Sequence, residues 1–214
     1  MKIFIVFIIL FSSLNLFSTA QIPDNLIYKG KRYNLYSNPL ETYFKKYPNK
    51  KPHTTVGSSA LWRGYVATFE IKDKKLILKD IKVMKDFDSW GSVKKEVIKK
   101  DKNFSLDYFT GILVIPYGKM INYVHMGYAS TYENYILLEI RNGKLTGKKD
   151  LDVKKYKLFK EIQFSEFKKT DKYKKIYKEI IEAGNDPKFA NNFIKDFIIS
   201  YTSRFLEKDN KTSK

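Results

Sequence analysis

The sequence predicts an α+β protein: an antiparallel β-sheet laid out as a meander of hairpins, with short helices and a C-terminal helical pair. Three observations lead there. Apolar and polar residues alternate in short runs, separated by turn residues, from residue 26 to about 150. The pattern FEIKDKKL (69–76) returns 69 residues on as LEIRNGKL (138–145), each copy followed within a strand's length by D-[IL]-x-V. Beyond about residue 160 the apolar spacing changes to threes and fours, the period of a helix.

In chain order, LIYKGKRYNLY (26–36) predicts a first hairpin turning at Lys29–Gly30–Lys31. NPLETYFKKY (38–47) predicts a short helix with Asn38 as cap, Pro39 at its first position and Glu41 in its first turn. A polar loop (47–59) holds His53. LWRGYVATFEI (61–71) and LILKDIKV (76–83) read as two strands around the turn KDKK. SVKKEVIKK (92–100) reads as a short helix capped by Ser92. GILVIP (111–116), apolar on both faces, predicts a central strand. INYVHMGY (121–128) and YENYILLEI (132–140) follow as strands, then the turn RNGK and a further strand from Leu145. KYKKIYKEIIEAG (172–184) has helical spacing and stops at Gly184. Asp186 and Pro187 then open a second helix with Phe189, Phe193, Ile194, Phe197, Ile198, Tyr201 and Phe205 along one stripe. That stripe is expected to cover the sheet. Its polar side is not basic enough to favour the alternative, a helix dipping into a membrane interface.

The division that results is a signal peptide over 1–20, a β-rich domain over 21–160, a helical pair over 161–206 and a disordered tail over 207–214. The signal peptide rests on Lys2, the apolar run Ile3–Phe11 and the small residues of STA (18–20), which place the cut after Ala20. Polar Ser12, Ser13 and Asn15 interrupt the run short of the roughly 20 apolar residues that span a bilayer. Export to the periplasm or the exterior is therefore expected. The chain has no cysteine, so disulfides and thiolate chemistry are excluded and stability must come from a packed core. That core is expected to be rich in Phe, Tyr and Ile, since the chain carries 16 Tyr and 16 Phe.

The net charge of +18 invites a nucleic-acid reading, but its make-up argues against one. Arginine, whose fork reads phosphate and bases, occurs only at 32, 63, 141 and 204, and the lysines are spread along the whole chain. A solvated lysine surface is the expectation, with contact to an anionic membrane surface the weaker reading.

Two constellations could carry function. If 121–128 pairs with 132–140 around Ala129, His125 faces Glu133 and Tyr123 faces Tyr135, and a carboxylate beside an imidazole is the basis of a general-base dyad. No nucleophile elbow, zinc-ligand spacing or phosphate-cradling glycine loop accompanies it, so a cross-strand pair is the expected reading and no cofactor or metal is expected. Arg63 falls on the apolar face of the predicted strand 61–71. There it must pair with a carboxylate, snorkel out or hold a ligand anion, with Trp62 and Gly64 beside it.

The strings NPLETYF (38–44), LWRGYVATFEI (61–71) and YVHMGYASTYE (123–133) resemble segments of a family of uncharacterised bacterial proteins, over roughly residues 24 to 153. The resemblance implies a common fold. It marks Trp62, Arg63, His125, Tyr128 and Glu133 as candidate binding residues and implies nothing about substrate or reaction. The expected function is an exported, non-enzymatic module that contacts a partner protein or small ligand of the cell envelope through an aromatic-rich sheet face. Its rivals are an envelope hydrolase or transferase using His125 and Glu133, and an immunity-type protective protein.

Overall fold

The computed structural model describes residues 19–54, 56–86, 88–98 and 104–206. The expected signal peptide, save its last two residues, and the expected tail lie outside the described residues. The fold is α+β, with a mixed, mostly antiparallel sheet of eight strands. The strands are β1 (Asp24–Tyr28), β2 (Lys31–Leu35), β3 (Val66–Lys72), β4 (Lys75–Met84), β5 (Trp90–Ser92), β6 (Gly111–Asn122), β7 (Thr131–Arg141) and β8 (Lys144–Asp152). Their order is β2-β1-β3-β4-β8-β7-β6, with β5 on β4; β1 runs parallel to β3. The helices are α1 (Pro39–Lys46), α2 (Lys94–Val97), α3 (Val153–Phe167), α4 (Asp171–Glu182), α5 (Pro187–Asp196) and α6 (Ile198–Tyr201). No helix among the described residues is long and apolar enough to cross a membrane.

Three hairpins turn on two residues each, at Lys29–Gly30, Asp73–Lys74 and Asn142–Gly143, and all six have positive φ. Turns of that hand match the twist of the strands they join. The two echoing hairpins, β3–β4 and β7–β8, meet at their turns. Lys75 faces Lys144, the Leu76 amide donates to Gly143 O at 2.8 Å, and the Leu145 amide donates to Lys74 O at 2.7 Å. Equivalent residues of the two copies thus meet around a local pseudo-twofold axis. Pairing stops after that single rung because the segment Phe104–Phe109 wedges in. Its Leu106 amide donates to Leu76 O, Phe104 O accepts from Leu78, and Phe109 O accepts from Gly143.

The sheet curls until its ends touch. Just past β2, the Tyr36 amide donates to Val114 O at 2.8 Å, and Ser37 Oγ bridges Ile112 O and the Val114 amide. The main core fills the curl, with Leu26, Phe69, Leu78, Ile81, Leu113, Ile115, Leu138 and Ile140 among its buried members. On the other face of β6 and β7, Ile112, Val114, Tyr135 and Leu137 form a second cluster with Phe159 of α3. The expectation of a central strand at 111–116 is thereby corrected. β6 is last in the strand order, and its apolar character on both faces comes from the curl inside and α3 outside.

Other expectations also change. Residues 61–65 are not strand: a 3-10 turn (Ser59–Leu61) leads to Gly64 at φ +78, and β3 opens only at Val66. A left-handed glycine ends the extended run that alternation alone suggested. Ser92 belongs to β5 and donates to Asp80 Oδ1 at 2.6 Å; it does not cap α2, which begins at Lys94. Residues 111–122 form one strand through Pro116 and Gly118, not two. Pro116 is tolerated because β6 is last in the strand order. Among the described residues its outer side bonds only to Tyr36 and Ser37, at Ile112 and Val114, so the missing N–H of Pro116 costs no ladder bond.

Helix α3 is absent from the sequence reading. Asp152 caps it, accepting from the Lys155 amide at 2.8 Å. The predicted helix from Pro187 is capped by Asp186 as expected but breaks at Phe197. Its stripe also divides. Ile194 and Ile198 pack with Phe164 and Phe167 of α3, whereas Phe189, Phe193 and Phe197 form an exposed ladder of rings. α5 packs on α3, α4 and α6, while α3 lies on β7 and β8 and so occupies the sheet face.

Candidate functional site

Arg63 is held in the core by the turn that Gly64 ends. Its side chain is fully buried: Nη2 donates to Ile22 O at 2.8 Å and lies 3.4 Å from Asp24 Oδ1, and Nη1 donates to Tyr128 Oη at 2.9 Å. Of the three fates open to a buried arginine, pairing with a carboxylate is the one observed. Asp24 shares the inward side of β1 with Leu26 and Tyr28, and its Oδ1 also accepts from the Ala67 amide at 2.8 Å. Burial pushes the Asp24 carboxyl up to about 7 against the pull of Arg63. Among the described residues Asp24 Oδ2 and Arg63 Nε find no hydrogen-bond partner.

Tyr128 passes this anchor outward. Its hydroxyl donates to Asn38 Oδ1 at 3.0 Å, which occupies the side chain expected to cap α1. Burial pushes the Tyr128 phenol up to about 12, so it stays a neutral donor at ordinary pH. Its ring stacks on Tyr36 with centroids 4.6 Å apart. From Tyr36 an aromatic wall continues: Tyr36 and Tyr132 share a 2.8 Å hydroxyl hydrogen bond, the Tyr132 amide donates to Tyr135 Oη at 2.9 Å, and Tyr135 stacks on Tyr156 of α3 at 3.9 Å. Burial raises the Tyr36 and Tyr156 phenols as well. Three of these five tyrosines come from the stretch 128–135.

The wall flanks a cleft of about 810 Å³, within the range of small-molecule sites. One side is the start of α1 and the turn bearing Trp62. The floor is the outward face of β6, with Ile112 and Val114. The loop 126–131 closes one end, and Tyr156, Lys160 and the stretch 196–203 close the other. Trp62 stands 59% exposed at the rim with the Lys51 ammonium 5.5 Å from its ring, and Lys51 also pairs with Glu41. Glu41 in turn accepts from Tyr65 Oη at 2.8 Å.

The five candidates therefore separate. Trp62 and Tyr128 line the cleft, and Arg63 lies behind Tyr128 as its anchor. His125 and Glu133 stand apart from it. The expected register is wrong, because β6 runs on to Asn122 and pairs Pro116 with Tyr135, Tyr117 with Asn134 and Asn122 with Thr131. Glu133 Oε2 accepts from the Lys119 amide at the Gly118 bulge, at 2.8 Å, and His125 is exposed in the loop beyond, edge-on to Tyr123. No His–Glu pair forms, and His53 is exposed elsewhere. Among the described residues no group of three or more His, Asp or Glu could hold a metal ion.

No family model, curated protein or solved structure matches the chain. The site therefore rests on its own geometry. Asp24, Asn38, Tyr36, Tyr156 and Lys160 were not found from sequence. Only Asp24 left a signal, since a buried arginine demands an acid, but spacing alone cannot choose among 23 carboxylates.

Proposed function

We propose that the chain is an exported binding module whose ligand seat is the cleft between the α1 end of the sheet and the C-terminal helices. The observation that carries this reading is the cleft itself, lined by Tyr36, Tyr128, Tyr135 and Tyr156 of the tyrosine wall, with Trp62 at its rim. Stacked, hydrogen-bonded phenols offer contact area that loses little entropy on binding, and a preformed seat reduces the ordering that binding requires. A volume in the range of small-molecule sites favours a small ligand over a broad protein contact. Export is supported by the N-terminal pattern of charge, apolar run and small residues.

Native mass spectrometry after incubation with the small-molecule fraction of an envelope extract tests the seat. A retained adduct on the wild type that disappears in Ala129→Trp, with an unchanged melting curve, is the expected result. The same adduct on both proteins would place the ligand elsewhere. N-terminal sequencing of the protein from its host is expected to begin at Gln21, and intact chain in the cytosol would overturn the exported part.

A further inference from the structure

We propose that the cleft takes an amphipathic anion, a carboxylate or phosphate on an apolar or ring-bearing body, with Lys160 as its charge receptor. This rests on the cleft being the ligand seat. Lys160 lies one helical turn beyond Tyr156 on α3, so both side chains leave the same face. Its ammonium sits 5.6 Å from the Tyr156 ring centroid, a cation–π contact.

Among the described residues it has no ion pair. Glu161 is engaged by Lys195 at 2.6 Å. Asp196, exposed and itself part of the lining, attracts Lys160 without reaching ion-pair distance. Lys160 is only half-exposed, and burial holds its pKa below the usual lysine value. A cation partly stripped of water, facing a cleft and without an ion pair, gains from an incoming anion at hydrogen-bond distance more than the more distant Asp196 supplies. The other lysine of the lining, Lys172, already donates to Tyr201 O at 2.6 Å. Exposed apolar Met126 and Phe197 and half-buried Ile199 share the lining with Lys160, which suits the body of the ligand and not a bare inorganic ion.

Fluorescence titration with anilinonaphthalene sulfonate and its uncharged relative phenylnaphthylamine separates charge from apolar contact. The wild type is expected to bind the sulfonate at least about tenfold more tightly. Lys160→Met should erase that preference while keeping the neutral probe. Lys160→Arg should retain it, as should Lys175→Met, which removes an equal charge from an exposed position on α4. Displacement by decanoate or decyl phosphate supports the proposal and identifies the head group; displacement by inorganic phosphate alone overturns it. A preference that survives in Lys160→Met also overturns it. Equal binding of both probes, abolished by Ala129→Trp, would leave the cleft as the seat and remove only the anion. Failure of Ala129→Trp to weaken either probe would remove both.

Discussion

At the scale of single residues, Arg63 and Asp24 form a fully buried ion pair. Removing one member of a buried pair strands the other, so Arg63→Met is expected to lose about 3–5 kcal/mol in urea denaturation. Asp24→Asn/Arg63→Met should recover part of that, because asparagine still accepts from the Ala67 amide. The pH dependence follows from the raised carboxyl, at about 7 in the fold against 3.8 unfolded. Between those values the native state binds more protons than the unfolded chain, so this group's stabilisation is full below the lower value and is lost as pH rises through the upper one. Wild-type stability should therefore fall from pH 5 to pH 8 more steeply than that of Asp24→Asn, measured as urea midpoints across the range. The sequence showed that Arg63 needed a partner, but the partner is 39 residues away on β1. Long-range pairing of this kind depends on topology, which local pattern does not encode.

Among the elements, the hairpin turns are the most exacting. Gly30 (φ +76) and Gly143 (φ +71) share a backbone conformation but not their surroundings. A Cβ at Gly30 meets nothing within 4 Å, whereas one at Gly143 would lie 2.8 Å from Leu106 O and 2.9 Å from Asp107 Cα. Gly30→Ala should cost about 1–2 kcal/mol, the left-handed penalty alone. Gly143→Ala should cost clearly more, since the contact is with backbone that cannot rotate away; thermal melts of the two variants make the comparison. These turns were legible because Lys-Gly, Asp-Lys and Asn-Gly sit between alternating runs. The strand 61–71 and the 121–128 register were misread for one shared reason. Alternation records which side chains are apolar, and it does not register a left-handed glycine at 64 or a bulge at 118 that changes the path between them.

For the molecule as a whole, charge and closure matter most. A chain carrying +18 repels itself when compact, and most of its lysines are exposed. Raising ionic strength from about 0.01 M to about 0.15 M shortens the screening length from roughly 30 to 8 Å, so the melting temperature should rise over that interval. A fall would show that the surface ion pairs outweigh the repulsion. Fold class was legible because most of the hairpins and helices announce themselves locally, α3 being an exception, and the closure was not. The bonds from Tyr36 and Ser37 to β6 join segments about 75 residues apart, and nothing in either segment marks the other. The Phe104–Phe109 wedge has a related consequence. The two echoing hairpins are each complete, yet their mutual alignment is set by a stretch belonging to neither. A nick within that stretch would leave both β-ribbons intact while removing the spacer that fixes the angle between them, and the mouth of the cleft would lose its shape before the chain lost its fold.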